Sequence, residues 1–239
     1  MMGHTHALSG CVAWLALTPA MAQAGTPLSG AEIVAGGLVC AGAALLPDLD
    51  HPSSTIAQTY GPVTWGLSKL VNTVSGGHRK ATHSLLFAGL MGVGAQLLAN
   101  VNELALQIVL FLLVGLALRG IGFGVPRKRL TSAVLNAVAT LILLIAFTRT
   151  GVDYHWIGVA IALGCLVHLF GDALTEAGVP LFWPLKAKAG IPFGFETDGP
   201  VERWVVTPLL VVAVGFLGWK EAYGWLGTVV PPDWRLPRA

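Results

Sequence analysis

The chain has 239 residues, of which 54% are hydrophobic and only 11% are charged. Soluble domains carry roughly 25% charged residues, so this chain has too little charge to solvate a soluble surface. The hydrophobicity excludes intrinsic disorder, and a net charge of +2 gives no broad basic surface for a nucleic-acid partner. We therefore expect an integral membrane protein surrounded by membrane lipids, and nothing in the composition indicates an oligomeric state.

Seven apolar segments approach the length of about 20 residues that a bilayer-spanning helix needs. In chain order they are Ala7–Ala22, Ser29–Leu46, Ser84–Ala99, Leu104–Gly122, Ser132–Thr148, Trp156–Ala173 and Val205–Trp219. The first is short, and the small residues around Ala22 leave open a secretory signal, although no Lys or Arg precedes Lys69. We predict one all-α domain over residues 1–239, a polytopic membrane bundle of about seven spans with 100–150 as an extra helical pair.

The positive charges predict the orientation of this bundle. With seven spans, ten of the 14 Lys and Arg residues fall on the side of the N-terminus, which leaves four on the other side. Because positively charged loops stay in the cytoplasm, we predict a cytoplasmic N-terminus. The three cysteines (Cys11, Cys40 and Cys165) lie in apolar runs without metal-type spacing, so we expect free, buried thiols.

The scarce polar residues form four clusters at the span ends on that same side. They are His4-Thr5-His6, Asp48-Leu49-Asp50-His51, the segment from His78 to Ser84, and His168 with Asp172 and Thr175. Ionisable groups at membrane depth are costly and usually face a cavity or a partner. We expect the clusters to meet as one metal site at the cytoplasmic ends of the helices.

The second cluster lies between Pro47 and Pro52. If the segment is extended, Asp48 and Asp50 share a face, and neighbouring carboxylates repel each other unless a cation or proton intervenes. His51 adds an imidazole donor. The alternative is a helix C-terminal turn with solvated acids.

The fourth cluster has the spacing of one helix face. His168 and Asp172 are four residues apart, which makes them neighbours on a helix, and Thr175 continues that stripe. The alternative is a hydrogen bond between the histidine and the aspartate that only joins helices.

The first and third clusters add further histidines. His4 and His6 point apart on a helix, and we favour His6 as the ligand because it lies nearer the apolar run. Between His78 and His83, Arg79 could hold an anionic oxygen or only anchor the loop at the membrane. Thr82 and Ser84 are candidate N-caps for the third span.

These spaced motifs resemble the YdjM-like family of bacterial inner-membrane metal-dependent hydrolases, whose founding member is linked with LexA regulation. The matching segments are His6–Gly10, Leu46–Pro52, Gly77–Arg79, Thr82–Leu85, His168, Asp172, Thr175, Ala177–Pro180, Trp183-Pro184 and Glu202-Arg203. The resemblance implies a helical, multi-pass inner-membrane protein with metal-dependent hydrolase activity, but names no substrate. The sequence departs from it at Lys80 and in the added pair at 100–150.

The residues and the resemblance together define the candidate site. The predicted metal ligands are His6, Asp48, Asp50, His51, His83, His168, Asp172 and Glu202, and the predicted catalytic residues are His78, Arg79 and Thr82. Imidazole with carboxylate suits Zn²⁺ or Mn²⁺, and the number of donors allows two ions.

Two functions compete for these residues. The first is hydrolysis of an ester or phosphoester in a lipid-related or other small-molecule substrate. The second is a proton- or metal-ion-coupled transporter, although transporters place their ionisable groups near the bilayer midplane. A structural metal in a membrane scaffold is a further alternative, and such sites have all their positions filled by protein.

Overall fold

The protein is a bundle of helices in a computed structural model that describes residues 1–185 and 187–229, with side chains of the last helix to Tyr223. The helices are α1 (Gly3–Gln23), α2 (Gly30–Ala43), α3 (Pro62–Ser75), α4 (Leu85–Val101), α5 (Glu103–Gly120), α6 (Arg129–Arg149), α7 (Ile157–Ala173) and α8 (Thr207–Val229). Short 3-10 turns occupy Pro47–Asp50, Ile56–Gln58 and Ala81–His83, and a π-helical turn, Glu202–Val206, leads into α8. The described residues contain no β-strand, which confirms the all-α membrane bundle.

The seven predicted segments each coincide with a helix, but α3 lies where the sequence predicted only a loop. Within the part of the chain that the structure describes, four stretches are long and apolar enough to cross a membrane: Gly30–Asp50, Glu103–Gly120, Arg129–Arg149 and Glu202–Tyr223. Helices α4 and α7 are apolar but shorter. The total number of spans and the side of the N-terminus remain predictions.

Helix α2 is the centre of the bundle and packs against α1, α5 and α7. Ser29 starts it with a capping box, in which its hydroxyl accepts from the backbone of Glu32 and the Glu32 carboxylate accepts from the backbone of Ser29. The sequence of α2 is rich in Gly and Ala, and small residues let membrane helices approach closely. Around α2 the core includes Trp14, Trp156 and Leu113, all buried.

The closest approach to α2 is at Gly42. A Cβ atom at this position would lie 1.9 Å from the carbonyl oxygen of Leu113 in α5. Backbone cannot yield as a flexible side chain can, so only glycine fits at this crossing. The crossing fixes the C-terminal end of α2, from which the Asp48 and Asp50 segment continues.

The pair α5 and α6 is tied to the bundle by a small polar network. Tyr60 donates to the carbonyl of Phe111 at 2.6 Å and lies 3.1 Å from the hydroxyl of Thr140. Asn136 in α6 donates to the carbonyl of Gly115 in α5 at 3.0 Å. Buried polar groups need such partners, and these bonds join residues 56–61 to both helices.

We expect Gly42→Ala to destabilise the fold, because overpacking at a fixed backbone contact costs about 1–3 kcal/mol. The measurement is the thermal midpoint of the purified protein in detergent. The matched control is Gly94→Ala in α4, where a Cβ would meet nothing within 4 Å. Equal midpoints for the two variants would contradict the close packing of α2 on α5.

Candidate metal centre

Four separate segments bring His and Asp side chains together at one end of the bundle. They are the start of α1, the turn after α2, the segment before α4 and the end of α7. Two groups of three residues each offer one donor atom apiece within 4.8 Å of one another: His6 with His168 and Asp172, and Asp48 with His78 and His83. The sequence predicted that these clusters meet, and the structure brings them together.

Four donor atoms form a compact cage where the two groups adjoin. Nε2 of His83 and Nε2 of His168 are 3.2 Å apart. Oδ1 of Asp48 lies 3.6 Å from the first and 3.9 Å from the second, and Oδ2 of Asp172 lies 3.7 Å from both. Tetrahedral coordination at the usual Zn–N and Zn–O distances places ligand atoms about 3.3–3.6 Å apart. The cage is therefore close to the size that such an ion requires.

Each histidine of the cage is oriented through its other ring nitrogen. Nδ1–H of His168 donates to the carbonyl of Ala44 at 2.8 Å, which turns the lone pair of Nε2 toward the cage and Nε2 of His83. His83 is buried, which lowers the pKa of its ring, but the adjacent carboxylates of Asp48 and Asp50 outweigh that effect and raise the pKa to about 9.

Asp172 is the carboxylate with the most positive surroundings. Its Oδ1 accepts from the amine of Met1 at 2.6 Å and lies 3.3 Å from Nε2 of His6. Its Oδ2 lies 3.0 Å from Nη2 of Arg79, without a hydrogen bond of good geometry. The ring of His6 stacks on that of His168 at 3.8 Å, and neither His6 nitrogen has a hydrogen-bond partner.

These unpaired atoms test whether a metal ion fits the residues present. Buried polar atoms normally have hydrogen-bond partners, yet among the described residues neither nitrogen of His6 makes a hydrogen bond, and Oδ2 of Asp172 has only the ion pair with Arg79. They border the cage of imidazole and carboxylate donors, a set that suits Zn²⁺ or Mn²⁺. The donor chemistry, the spacing and the unpaired atoms all fit a divalent cation.

Asp50 has a different environment from the cage aspartates. One oxygen accepts from Nδ1–H of His78 at 2.6 Å, and the other accepts from the backbone of Arg79 at 3.1 Å and the hydroxyl of Thr82 at 2.6 Å. Nδ1 of His83 lies 3.5 Å from that second oxygen. The carboxylate is fully buried and joins residues 78–83 to the turn after α2.

The backbone explains why Asp48 and Asp50 differ. Pro47–Asp50 is a 3-10 turn, not the extended segment in which the two carboxylates would share a face. With three residues per turn, side chains two positions apart diverge. Asp48 therefore reaches the cage and Asp50 reaches the loop before α4.

Two partly exposed residues stand at the outer edge of the cage. His78 has a side chain that is 35% exposed, and that of Arg79 is 25% exposed. Arg79 has a left-handed backbone, with a φ of 56°, which costs about 1 kcal/mol or more. Two interactions offset this strain: the backbone N–H of Arg79 donates to Asp50, and its guanidinium forms an ion pair with Asp172. The ring of His51 lies 4.5 Å from that of His78 and outside both groups of donors.

The remaining predicted residues lie apart from the cage. Glu202 is buried, but its oxygens accept from the backbone of Met2 at 2.6 Å and of Asp198 at 2.8 Å. His4 points away from His6, as helical spacing predicts, toward Thr207. Thr82 is buried on Asp50, and Ser84 is the residue that caps α4, through the backbone N–H of Phe87.

Two groups that hold the site residues in place are not apparent from the sequence. The carbonyl of Ala44 orients His168, and the side chain of Asn72 donates to the backbone carbonyl of Asp50 at 2.6 Å. A backbone carbonyl has no sequence signature. Asn72 lies in α3, and recognising that helix would have placed it beside the site.

Comparison with known proteins assigns this chain to a family. The model of the family described as YdjM inner membrane protein matches residues 1–122 and 130–230. The chain belongs to the YdjM family. The inner membrane proteins YdjM of Escherichia coli (strain K12) and of Shigella flexneri are each 28% identical to it over 171 residues, which is 71% of this chain and 60% of the relative. No solved structure matches.

Membership supports the expected inner-membrane location and leaves the chemistry open. The relatives are named inner membrane proteins, which agrees with the apolar helices of this chain. The names state no enzymatic activity and no metal, so the hydrolase activity and the zinc or manganese remain predictions.

We expect Asp172→Asn to weaken Zn²⁺ binding strongly. Loss of a residue that only hydrogen-bonds a metal ligand lowers metal affinity roughly 10–100-fold, and loss of the ligand itself should lower it further. The substitution keeps the shape of the side chain but removes the charge that faces the cage. The measurement is metal content by mass spectrometry after loading and dialysis of the purified protein. The control is His155→Ala, a side chain that is 42% exposed beside Asp153, outside the cage. Equal metal content in both variants would contradict the cage.

Proposed function

We propose that this chain is a membrane-embedded, metal-dependent hydrolase that cleaves an ester or phosphoester bond in a lipid-related substrate. The observation that carries the proposal is the cage of four donors bordered by a partly exposed histidine and arginine. Four protein donors alone would fill a tetrahedral structural site, so hydrolysis would need a further position for water beside His78 and Arg79. Its position at the ends of apolar helices favours an amphiphilic substrate, because membrane lipids are the molecules nearest to it.

The residues that would hold the ion follow from the cage distances. Asp48, His83, His168 and Asp172 supply its four donor atoms, and His6 is a further donor beside His168. Such an ion, Zn²⁺ or Mn²⁺, polarises the ester or phosphoryl oxygen and activates water for attack. His78 lies within the group of Asp48 and His83, so a role as metal ligand is the alternative to its role as base.

Asp50 and Thr82 are assigned to positioning the residues that contact the ion and the substrate. Because Asp50 accepts from Nδ1–H of His78, the Nε2 of that ring keeps a lone pair that can accept a proton. Thr82 donates to the same carboxylate and lies 3.1 Å from Nδ1 of His83. Both residues therefore set ring orientations and need not bind metal themselves. Glu202 in turn holds the start of α1, which carries His6.

His78 and Arg79 are assigned to the chemistry. His78 accepts a proton from the attacking water as the new bond forms at carbon or phosphorus. It returns that proton to the leaving oxygen as the ester bond breaks, so protons balance over one turnover. The guanidinium of Arg79 can pair with an anionic oxygen of the substrate. His51, beside His78, lines the same edge.

Substrate hydrolysis tests the proposal. Purified protein loaded with Zn²⁺ or Mn²⁺ is incubated with phospholipids, chromogenic phosphoesters and carboxylic esters, with and without a chelator. We expect hydrolysis that the chelator abolishes. Absence of hydrolysis across the panel, together with proton or metal-ion transport in proteoliposomes, would overturn the proposal in favour of a transporter.

We expect His78→Gln to lower kcat by about 10²–10⁴-fold, the usual contribution of a general acid–base group. Metal content should stay at the wild-type level, because the four cage donors are unchanged. Rate and metal content are measured on the same preparation. A parallel loss of metal would instead make His78 a ligand.

Arg79→Gln should raise KM for anionic substrates more than it lowers kcat, because it removes a charge that binds the substrate before and during the reaction. Lys80→Gln removes the neighbouring charge from an exposed side chain and is the matched control. Identical kinetics for the two variants would show that Arg79 only anchors the loop.

A further inference from the structure

Helix α3 turns a polar face toward the protein, opposite to the arrangement in a soluble helix. Thr64, Ser68 and Ser75 are buried against the protein, and Asn72 on the same face bonds the backbone of Asp50. Residues at this spacing share one side of a helix. In water the face turned toward the protein is normally the apolar one.

The outer surface of α3 carries an apolar stripe. Val63 is 75% exposed, Leu70 61% and Val74 78%, and Leu67 lies between them on the same face. An exposed stripe of this kind needs an apolar phase to cover it.

A third side of α3 is polar and exposed. Lys69 and Thr73 lie there, and Nζ of Lys69 lies 3.8 Å from the ring centre of Trp65, which at helical spacing is across the helix from the apolar stripe. Lysine extends its charge toward water while its stem covers apolar surface. Helix α3 thus has an inner polar face, an exposed apolar stripe and an exposed polar side.

The length of α3 decides how it can lie in a membrane. Its 14 residues span about 21 Å, which is less than the roughly 30 Å of a bilayer core. Gly61 at its start lies near Ala133 at the start of α6, and its end leads through Gly76 and Gly77 to the segment before α4. The helix therefore runs from beside the start of α6 to the segment before α4, and it packs against the turns that follow α2.

We propose that α3 lies in the plane of the membrane interface, with Val63, Leu67, Leu70 and Val74 inserted at the boundary of headgroups and acyl chains. The partner is the lipid surface, because the polar inner face, the exposed apolar stripe and the exposed polar side with Lys69 and Thr73 occur together. This inference goes beyond the proposed function and does not depend on it. Through Asn72 and the backbone of Asp50, the same helix fixes the depth of the His and Asp cage at the level of lipid headgroups.

Spin-label accessibility in vesicles tests this placement. Single cysteines are introduced as Leu70→Cys, Val74→Cys, Lys69→Cys and Thr73→Cys in a Cys11→Ala background, since Cys40 and Cys165 are buried. The full chain is reconstituted in phosphatidylethanolamine and phosphatidylglycerol, and relaxation by oxygen is compared with relaxation by a water-soluble nickel chelate. The background protein, labelled in parallel, measures any contribution of the buried cysteines.

We expect labels at positions 70 and 74 to respond more to oxygen than to the nickel chelate, and labels at 69 and 73 to show the reverse. Equal nickel accessibility at all four positions would place the stripe in water and overturn the proposal. Protection of positions 70 and 74 from both reagents would mean that protein covers the stripe, which also overturns it. The measurement needs neither metal nor substrate, so it stands apart from the test of hydrolysis.

Discussion

The structure depends on how buried carboxylates are kept charged at the end of an apolar bundle. Asp50 and Asp172 are fully buried, and an ionised carboxylate is very costly there unless cations or hydrogen-bond donors surround it. Two solutions lie side by side. Both oxygens of Asp50 accept hydrogen bonds, from His78, Arg79 and Thr82. Asp172 instead faces the amine of Met1 and the guanidinium of Arg79, and its Oδ2 accepts no hydrogen bond. That contrast separates a residue that positions its neighbours from residues that can bind an ion.

The same constraint accounts for the loop before α4. The backbone of Arg79 is strained, but it satisfies Asp50 with its N–H while its guanidinium reaches Asp172. One residue thus links the two carboxylates, and its neighbour His78 is held against the first. The loop is ordered by the acids of the site, which couples the candidate acid–base group to the cage.

Much of this could be predicted from sequence because charge is scarce in the chain. His168 and Asp172 follow helical spacing, and the apolar segments correctly located the helices that carry the clusters. The local path of the turn after Pro47 could not be predicted, because a 3-10 turn and an extended segment are both compatible with Pro-Asp-Leu-Asp. Helix α3 was missed because a polar face turns inward and its hydropathy falls below that of a span. Asn72 was missed with it.

The central claim is that Asp48, His83, His168 and Asp172 together bind one divalent ion. X-ray absorption spectroscopy of the Zn²⁺-loaded protein in detergent tests this most directly, because it reports the ligand atoms without requiring a substrate. We expect only nitrogen and oxygen ligands, with the outer scattering of at least two imidazoles and no sulfur. Sulfur ligation, or a spectrum without imidazole scattering, would contradict it.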